Sequence, residues 1–238
     1  MKYRKPRGAT LSLVIAAHPR FALAMTLGLA AGAAAAGRST LEVGLVAVTV
    51  LVGQLSVGWL DDLLDRDRDR QVGRFERPLA LGWLDPGTVA FWIAVAVLTV
   101  IPLSVANGTY AGLAHLGAVA LLWLYHLAFK KTWLSWLPWA AAFALLPAFL
   151  SYGGVGGGMH GGPPTWAMTA LAALLGIGVH FLVALPDLVQ DNETGTRHLP
   201  LRIALKIGAP KLLWISVTWT ALVLAGIVVA GLTVGLTQ

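Results

Sequence analysis

Long apolar segments dominate this chain, and short polar stretches separate them. Seven segments are apolar enough and long enough to cross a membrane: roughly 16–36, 41–60, 88–106, 110–128, 134–151, 165–186 and 211–235. A spanning helix needs about 20 mostly apolar residues. Lipid offers no hydrogen bonds to an irregular backbone, so all seven are predicted to be helical. The predicted fold is therefore an all-α transmembrane bundle of about seven helices, forming a single domain over residues 1–238.

The composition agrees with a membrane protein. The chain is 57% hydrophobic and only 12% charged, whereas a soluble domain carries about 25% charged residues. It contains no cysteine, which excludes disulfides, thiolate metal sites and a cysteine nucleophile.

Positive charge alternates from one predicted loop to the next. Sixteen of the 17 basic residues lie on alternate loops, and Arg38 is the exception. Because Lys and Arg accumulate in cytoplasmic loops, we expect a protein of the cell (plasma) membrane with a cytoplasmic N-terminus and an external C-terminus. This orientation signal accounts for the net charge of +6, so nucleic acid is not an expected partner, whereas membrane lipid is.

Acidic residues cluster on the predicted cytoplasmic side, and Glu42 is the exception. The clusters follow the second and sixth helices, in stretches at about 61–85 and 187–210 that we expect to be loops. They contain Asp61, Asp62, Asp65, Asp67 and Asp69, then Asp187, Asp191 and Glu193. Four-residue spacing would put several carboxylates on one helical face. Since like charges at that spacing repel, we expect a compensating cation, and carboxylate oxygens suit Mg²⁺.

Basic residues follow each acidic cluster and also occupy the middle loop: Arg74, Arg77, Lys130, Lys131, Arg197 and Arg202. Guanidinium groups bind phosphate through two parallel hydrogen bonds, and lysine acts as a point charge. Two acidic faces meeting across a cavity would hold Mg²⁺ ions that bridge to a diphosphate. The alternative for the first cluster is a solvated segment, because signs alternate over residues 65–70 and could neutralise one another.

These motifs resemble those of the UbiA superfamily of intramembrane prenyltransferases. The first reads Asp61-Asp62-Leu63-Leu64-Asp65-Arg66-Asp67-Arg68-Asp69, followed by Arg74 and Arg77-Pro78-Leu79. The second reads Pro186-Asp187-Leu188-Val189-Gln190-Asp191, followed by Gly195, Arg197, Leu199 and Pro200. Tyr125, Lys130 and Lys131 resemble the family's middle-loop residues that contact diphosphate. Asp61 stands where the family usually has Asn, and Gln190 where it often has Gly.

The resemblance implies a fold and a reaction. The family forms a bundle of usually nine helices around a central cavity, ionises a prenyl diphosphate with Mg²⁺ and transfers the prenyl group to a lipophilic acceptor. The implied metal ligands are Asp61, Asp62, Asp65, Asp69, Asp187 and Asp191. The implied diphosphate ligands are Arg74, Arg77, Tyr125, Lys130, Lys131, Arg197 and Arg202. The prediction of seven helices rather than nine leaves a homo-oligomer open.

His180 lies seven residues before Asp187, about 10 Å deeper in the membrane if the helix is regular. It is a candidate catalytic base, and a helix–helix hydrogen bond is the alternative. Two other functions remain open for the whole chain. A terpene cyclase of the same family would convert a prenyl diphosphate to a cyclic product without an acceptor. A non-catalytic membrane protein, such as a transporter, could also carry intramembrane carboxylates.

Overall fold

A computed structural model of the chain describes residues 8–74, 77–154 and 161–237, and the described part is helical apart from turns and one isolated bridge. The prediction of an all-α fold is confirmed. The basic residues Lys2, Arg4, Lys5 and Arg7, on which part of the orientation argument rests, lie outside the described residues. The chain divides into two compact units, one up to Asn107 and the other from Gly108 onward.

The described residues of the first unit form four helices: α1 (Ala9–Ala16), α2 (Pro19–Ala35), α3 (Thr40–Gln71) and α4 (Pro86–Ala106). α3 packs against both α2 and α4. α1 and α2 meet at an angle of 63°. This break lies at the start of the first predicted span, 16–36, and α2 forms nearly all of that span. Pro19 has no N–H to continue the helix, and His18 before it adopts a left-handed conformation with φ of 53°.

The second unit begins with α5 (Thr109–Leu124), which ends in a π-helical turn at Tyr125–Phe129. The remaining helices are α6 (Trp136–Ala144), α7 (Leu146–Ser151), α8 (Trp166–Ala184), α9 (Leu188–Glu193), α10 (Leu199–Ile207) and α11 (Ala209–Thr233). α8 packs between α6 and α11. A 3₁₀ turn at Leu185–Asp187 joins α8 to α9.

Each predicted span coincides with a helix or with a broken pair of helices. Within the described residues, five helices are long and apolar enough to cross a membrane, or six if α1 and α2 together form one span. The predicted span at 134–151 is the weakest, since it corresponds to the shorter apolar pair α6 and α7. Helix identity therefore follows from the apolar pattern, whereas helix continuity does not.

The helix of the second predicted span continues past residue 60. α3 continues to Gln71 and carries the whole first acidic cluster, so this part of the expected loop at 61–85 is helical. Arg68 pairs with Asp65 three residues earlier, at 2.7 Å, and an opposite-charge pair at that spacing supports a helix. Part of the expected loop at 187–210 is likewise helical, in α9 and α10.

The two charged residues that depart from the loop pattern pair with each other at the start of α3. Arg38 Nη1 lies 3.6 Å from Glu42 Oε1. Ser39 Oγ accepts a hydrogen bond from the Glu42 N–H, and Glu42 Oε2 accepts one from the Ser39 N–H at 2.9 Å. This reciprocal cap satisfies two backbone donors of the helix. Glu42 thus has a structural role of its own, unrelated to the acidic clusters.

Candidate active site

The first acidic cluster forms a buried face at the end of α3. Asp61, Asp62, Asp65 and Asp69 are all buried, whereas the Asp67 side chain is 69% exposed. Positions i, i+1, i+4 and i+8 lie on one side of a helix and position i+6 lies away from them. Helix geometry alone therefore separates four carboxylates from the fifth.

Arg77 is the central cation of this face. Its Nη1 donates to Asp62 Oδ1 at 3.2 Å and lies 3.6 Å from Asp61 Oδ2, while its Nε lies 3.7 Å from Asp69 Oδ2. Arg70 Nε donates to the carbonyl oxygen of Ala80 at 3.2 Å. This bond ties α3 to the turn that follows Arg77, so the Arg-Pro-Leu segment is held against the acidic face.

Two further arginines reach the same carboxylates. Arg68 Nη2 lies 2.7 Å from Asp65 Oδ2 and 3.5 Å from Asp69 Oδ1. Arg74 is buried, with Nη1 at 3.6 Å from Asp69 Oδ1. A buried carboxylate is costly unless it is paired. The arginines therefore make the concentration of negative charge on this helix tolerable.

His18 joins the cluster, although the sequence analysis did not single it out. Its Nε2 lies 3.4 Å from Asp61 Oδ2, and its ring contacts the Arg77 guanidinium. The residue occupies the break between α1 and α2 in a conformation that is uncommon outside glycine. The His-Pro pair was the only available signal, and it marks a helix boundary rather than a site.

The second acidic cluster lies around α9. Asp187 is half-buried in the 3₁₀ turn, and Asp191 is buried within the helix. Asp191 Oδ2 lies 2.8 Å from His198 Nε2, which is also buried. His198 is a second residue that the sequence analysis missed, because it occupies a position between two motif residues.

The predicted phosphate-binding residues of the second unit lie in different environments. Arg197 and Arg202 are exposed, and Arg202 Nε donates to the Arg197 carbonyl oxygen at 2.7 Å. Lys130 and Lys131 follow the π-helical turn, half-buried and exposed respectively. Tyr125, at the start of that turn, is buried. The four basic residues of this set are therefore more exposed than Arg74 of the first unit.

His180 is fully buried in α8. Its Nε2 lies 3.0 Å from Ser135 Oγ, at the start of α6. Its ring packs against Tyr125 and Trp139, with centroids 5.5 and 5.7 Å away. A hydrogen bond between neighbouring helices was one of the two roles that the sequence left open.

The carboxylates fit a hard divalent cation. Within the described residues, no three acidic or histidine side chains are placed to hold a metal by themselves. Mg²⁺ does not require three protein ligands, because it is usually bound by one or two carboxylates together with waters and substrate phosphates. Asp62 Oδ2 and both carboxylate oxygens of Asp69 are buried, and no described group donates a hydrogen bond to them. The arginines lie 3.5–3.7 Å from the Asp69 oxygens, too far for a hydrogen bond, so these oxygens keep lone pairs that can bind a cation.

A comparison of the sequence with protein families gives one match of nearly full length. The model described as the UbiA prenyltransferase family matches residues 22–237. No curated protein matches the chain in sequence.

Solved structures with the same fold include homologues from Archaeoglobus fulgidus. A UbiA homologue bound to GPP and Mg²⁺ has a TM-score of 0.71 at 18% identity, over 90% of this chain and 76% of that chain. A UbiA homologue from Archaeoglobus fulgidus bound to Cd²⁺ has a TM-score of 0.66 at 18% identity, over 95% of this chain and 91% of that chain. A digeranylgeranylglyceryl phosphate synthase has a TM-score of 0.66 at 18% identity, over 95% of this chain and 78% of that chain. At these identities the likeness establishes the fold.

Proposed function

The chain belongs to the UbiA prenyltransferase family, and from that premise we propose that it ionises a prenyl diphosphate and transfers the prenyl group to a lipophilic acceptor. It is an integral membrane prenyltransferase. The observation that carries the proposal is the buried acidic face of α3, where four aspartates meet three arginines. A solvated charged loop would not bury these groups, since burial of ions is costly.

Mg²⁺ is the cofactor of this reaction. We assign it to Asp61, Asp62, Asp65 and Asp69 in the first cluster and to Asp187 and Asp191 in the second. When bound, Mg²⁺ supplies charge stabilisation to the departing pyrophosphate. The fit rests on the carboxylate oxygens of Asp62 and Asp69 that receive no hydrogen bond from a described group. Structures of a homologue bound to GPP or DMAPP together with Mg²⁺ support Mg²⁺ as the cation.

The basic residues bind the diphosphate in this proposal. They are Arg74, Arg77, Tyr125, Lys130, Lys131, Arg197 and Arg202, with the tyrosine contributing a hydroxyl. Arg77 and Arg74 bind aspartates in the described state, so they are preorganised to receive phosphate oxygens as negative charge develops. The exposed Arg197 and Arg202 have room to approach a diphosphate from the aqueous side.

His180 was predicted as a catalytic base, and proton removal by it stays a prediction. Its hydrogen bond to Ser135 and its burial among aromatic rings favour a role in holding α8 against α6. In that role it would fix the surroundings of Tyr125 rather than accept a proton from the product.

The test is a pyrophosphate-release assay on detergent-purified protein with geranyl, farnesyl and geranylgeranyl diphosphates. Each substrate is supplied with and without Mg²⁺, and with and without an aromatic or isoprenoid acceptor. We expect Mg²⁺-dependent release that needs an acceptor, and a prenylated acceptor in the organic extract. Release without acceptor, together with a cyclic hydrocarbon, would identify a terpene cyclase instead. No release with any substrate would contradict both reactions.

A further inference from the structure

His198 makes two hydrogen bonds that use opposite sides of its ring. It is the N-cap residue of α10, and its Nδ1 accepts a hydrogen bond from the backbone N–H of Leu201 at 3.1 Å. Its Nε2 lies 2.8 Å from Asp191 Oδ2. The side chain is almost completely buried, so both partners are shielded from competing water.

The first bond determines the direction of the second. A ring nitrogen that accepts a backbone N–H carries no proton, and in a neutral imidazole the proton then resides on the other nitrogen. Nε2 is therefore the donor and the Asp191 carboxylate is the acceptor. The cap of α10 thus selects the tautomer that can hold Asp191.

The segment that carries His198 is fixed at both ends. The Thr196 N–H donates to the Asp191 carbonyl oxygen at 2.8 Å. The Leu199 N–H donates to Ser135 Oγ at 3.2 Å, and the same hydroxyl bonds His180. The imidazole therefore cannot follow a rotation of the Asp191 side chain, and instead it restrains that rotation.

We propose that His198 is a positioning residue, which donates from Nε2 to hold Asp191 in the orientation that binds the Mg²⁺–diphosphate. The inference rests on the proposed function, because it assigns Asp191 to that site. Partners that orient a ligand in this way commonly change metal affinity by 10- to 100-fold when they are removed. Ser135 acts in the same arrangement, by fixing the backbone that carries the imidazole.

Two substitutions separate the two hydrogen bonds. His198→Asn retains an acceptor for the Leu201 N–H, since Asn is a good N-cap residue, but it is too short to reach Asp191. His198→Gln places an amide donor near the position of Nε2 and loses the cap. Asp85→Ala is the control, because it removes the N-cap bond to Thr88 at the start of α4.

The measurement is Mn²⁺ binding to purified protein, followed by electron paramagnetic resonance with and without geranyl thiolodiphosphate, an unreactive analogue. We expect His198→Asn to weaken Mn²⁺ binding by about 10-fold or more, and the Mg²⁺ requirement of pyrophosphate release to rise in parallel. His198→Gln should stay within about 3-fold of the wild type, with a lower midpoint of thermal unfolding. Asp85→Ala should lower only that midpoint.

Three results would overturn the inference. Unchanged Mn²⁺ binding in His198→Asn, or equal losses in the Asn and Gln variants, would show that the bond to Asp191 does not matter. If His198→Asn does not fold, His198→Ser provides a second N-cap variant, and failure of both would make the residue purely structural. A wild-type protein that binds neither Mn²⁺ nor the analogue would contradict the proposed function itself.

Discussion

Asp65 and Asp67 are two residues apart in α3, yet their side chains lie in different environments. The Asp65 side chain is 8% exposed and lies 2.7 Å from Arg68. The Asp67 side chain is 69% exposed, and its ion pair is with its half-buried neighbour Arg66. A salt bridge at such an exposed position contributes little. The alternating Asp-Arg sequence therefore contains one residue of the candidate site and one surface residue.

This contrast gives a matched pair of substitutions. We expect Asp65→Asn to lower Mg²⁺-dependent pyrophosphate release by on the order of 100-fold, because a neutral amide contributes less to cation binding and charge stabilisation. Asp67→Asn should remain within about 2-fold of the wild type, since solvent screens its ion pair with Arg66 and its side chain lies away from the buried face. Equal loss in both variants would indicate that the whole charged segment acts as a unit.

At the scale of elements, α3 depends on close contact with the break between α1 and α2. A Cβ atom at Gly58 would lie 2.4 Å from the carbonyl oxygen of Ala17, which is backbone and cannot move aside easily. Trp59 Nε1 donates to the Leu13 carbonyl oxygen at 2.9 Å in the same region. Small residues permit such approach between membrane helices, and here the approach brings His18 to Asp61.

Substitution of this glycine should loosen that contact. We expect Gly58→Ala to destabilise the protein by about 1–3 kcal/mol, as overpacking commonly does, and to reduce pyrophosphate release by shifting His18. Gly44→Ala in the same helix meets nothing within 4 Å, and it should be neutral or stabilising by up to about 1 kcal/mol. Thermal unfolding followed by tryptophan fluorescence distinguishes the two, and a lower midpoint for Gly44→Ala would contradict the packing argument.

For the whole molecule, alternation of positive charge predicts orientation in the membrane. The only basic residue on the opposite set of loops, Arg38, is paired with Glu42, so it adds little net charge there. The chain contains no cysteine, and single cysteines can therefore report on sidedness without a background signal. Ala36 and Lys206 are both exposed and lie on predicted opposite sides.

We expect an impermeant maleimide to label Lys206→Cys from the cytoplasmic side and Ala36→Cys from the external side. The measurement compares right-side-out with inside-out vesicles, because Lys and Arg favour the cytoplasmic side. Labelling of both positions from the same side would contradict the predicted topology. Reversed labelling would instead place the N-terminus outside.

The sequence by itself determined the features that depend on local periodicity. Apolar runs identified the helical segments, because a segment in lipid must satisfy its own backbone hydrogen bonds. Four-residue spacing placed Asp61, Asp65 and Asp69 on one face, because helix geometry requires it. The burial of these residues is consistent with that expectation, and their role as metal ligands stays a prediction.

Only the tertiary structure decided which residues distant in sequence contact one another in and around the candidate site. His18 contacts Arg77 from 59 positions earlier, and His180 bonds Ser135 across 45 positions. No periodicity encodes such pairs, since they depend on where separate helices pack. His198 is closer in sequence to its partners Leu201 and Asp191, but only the structure showed that one ring bonds both of them.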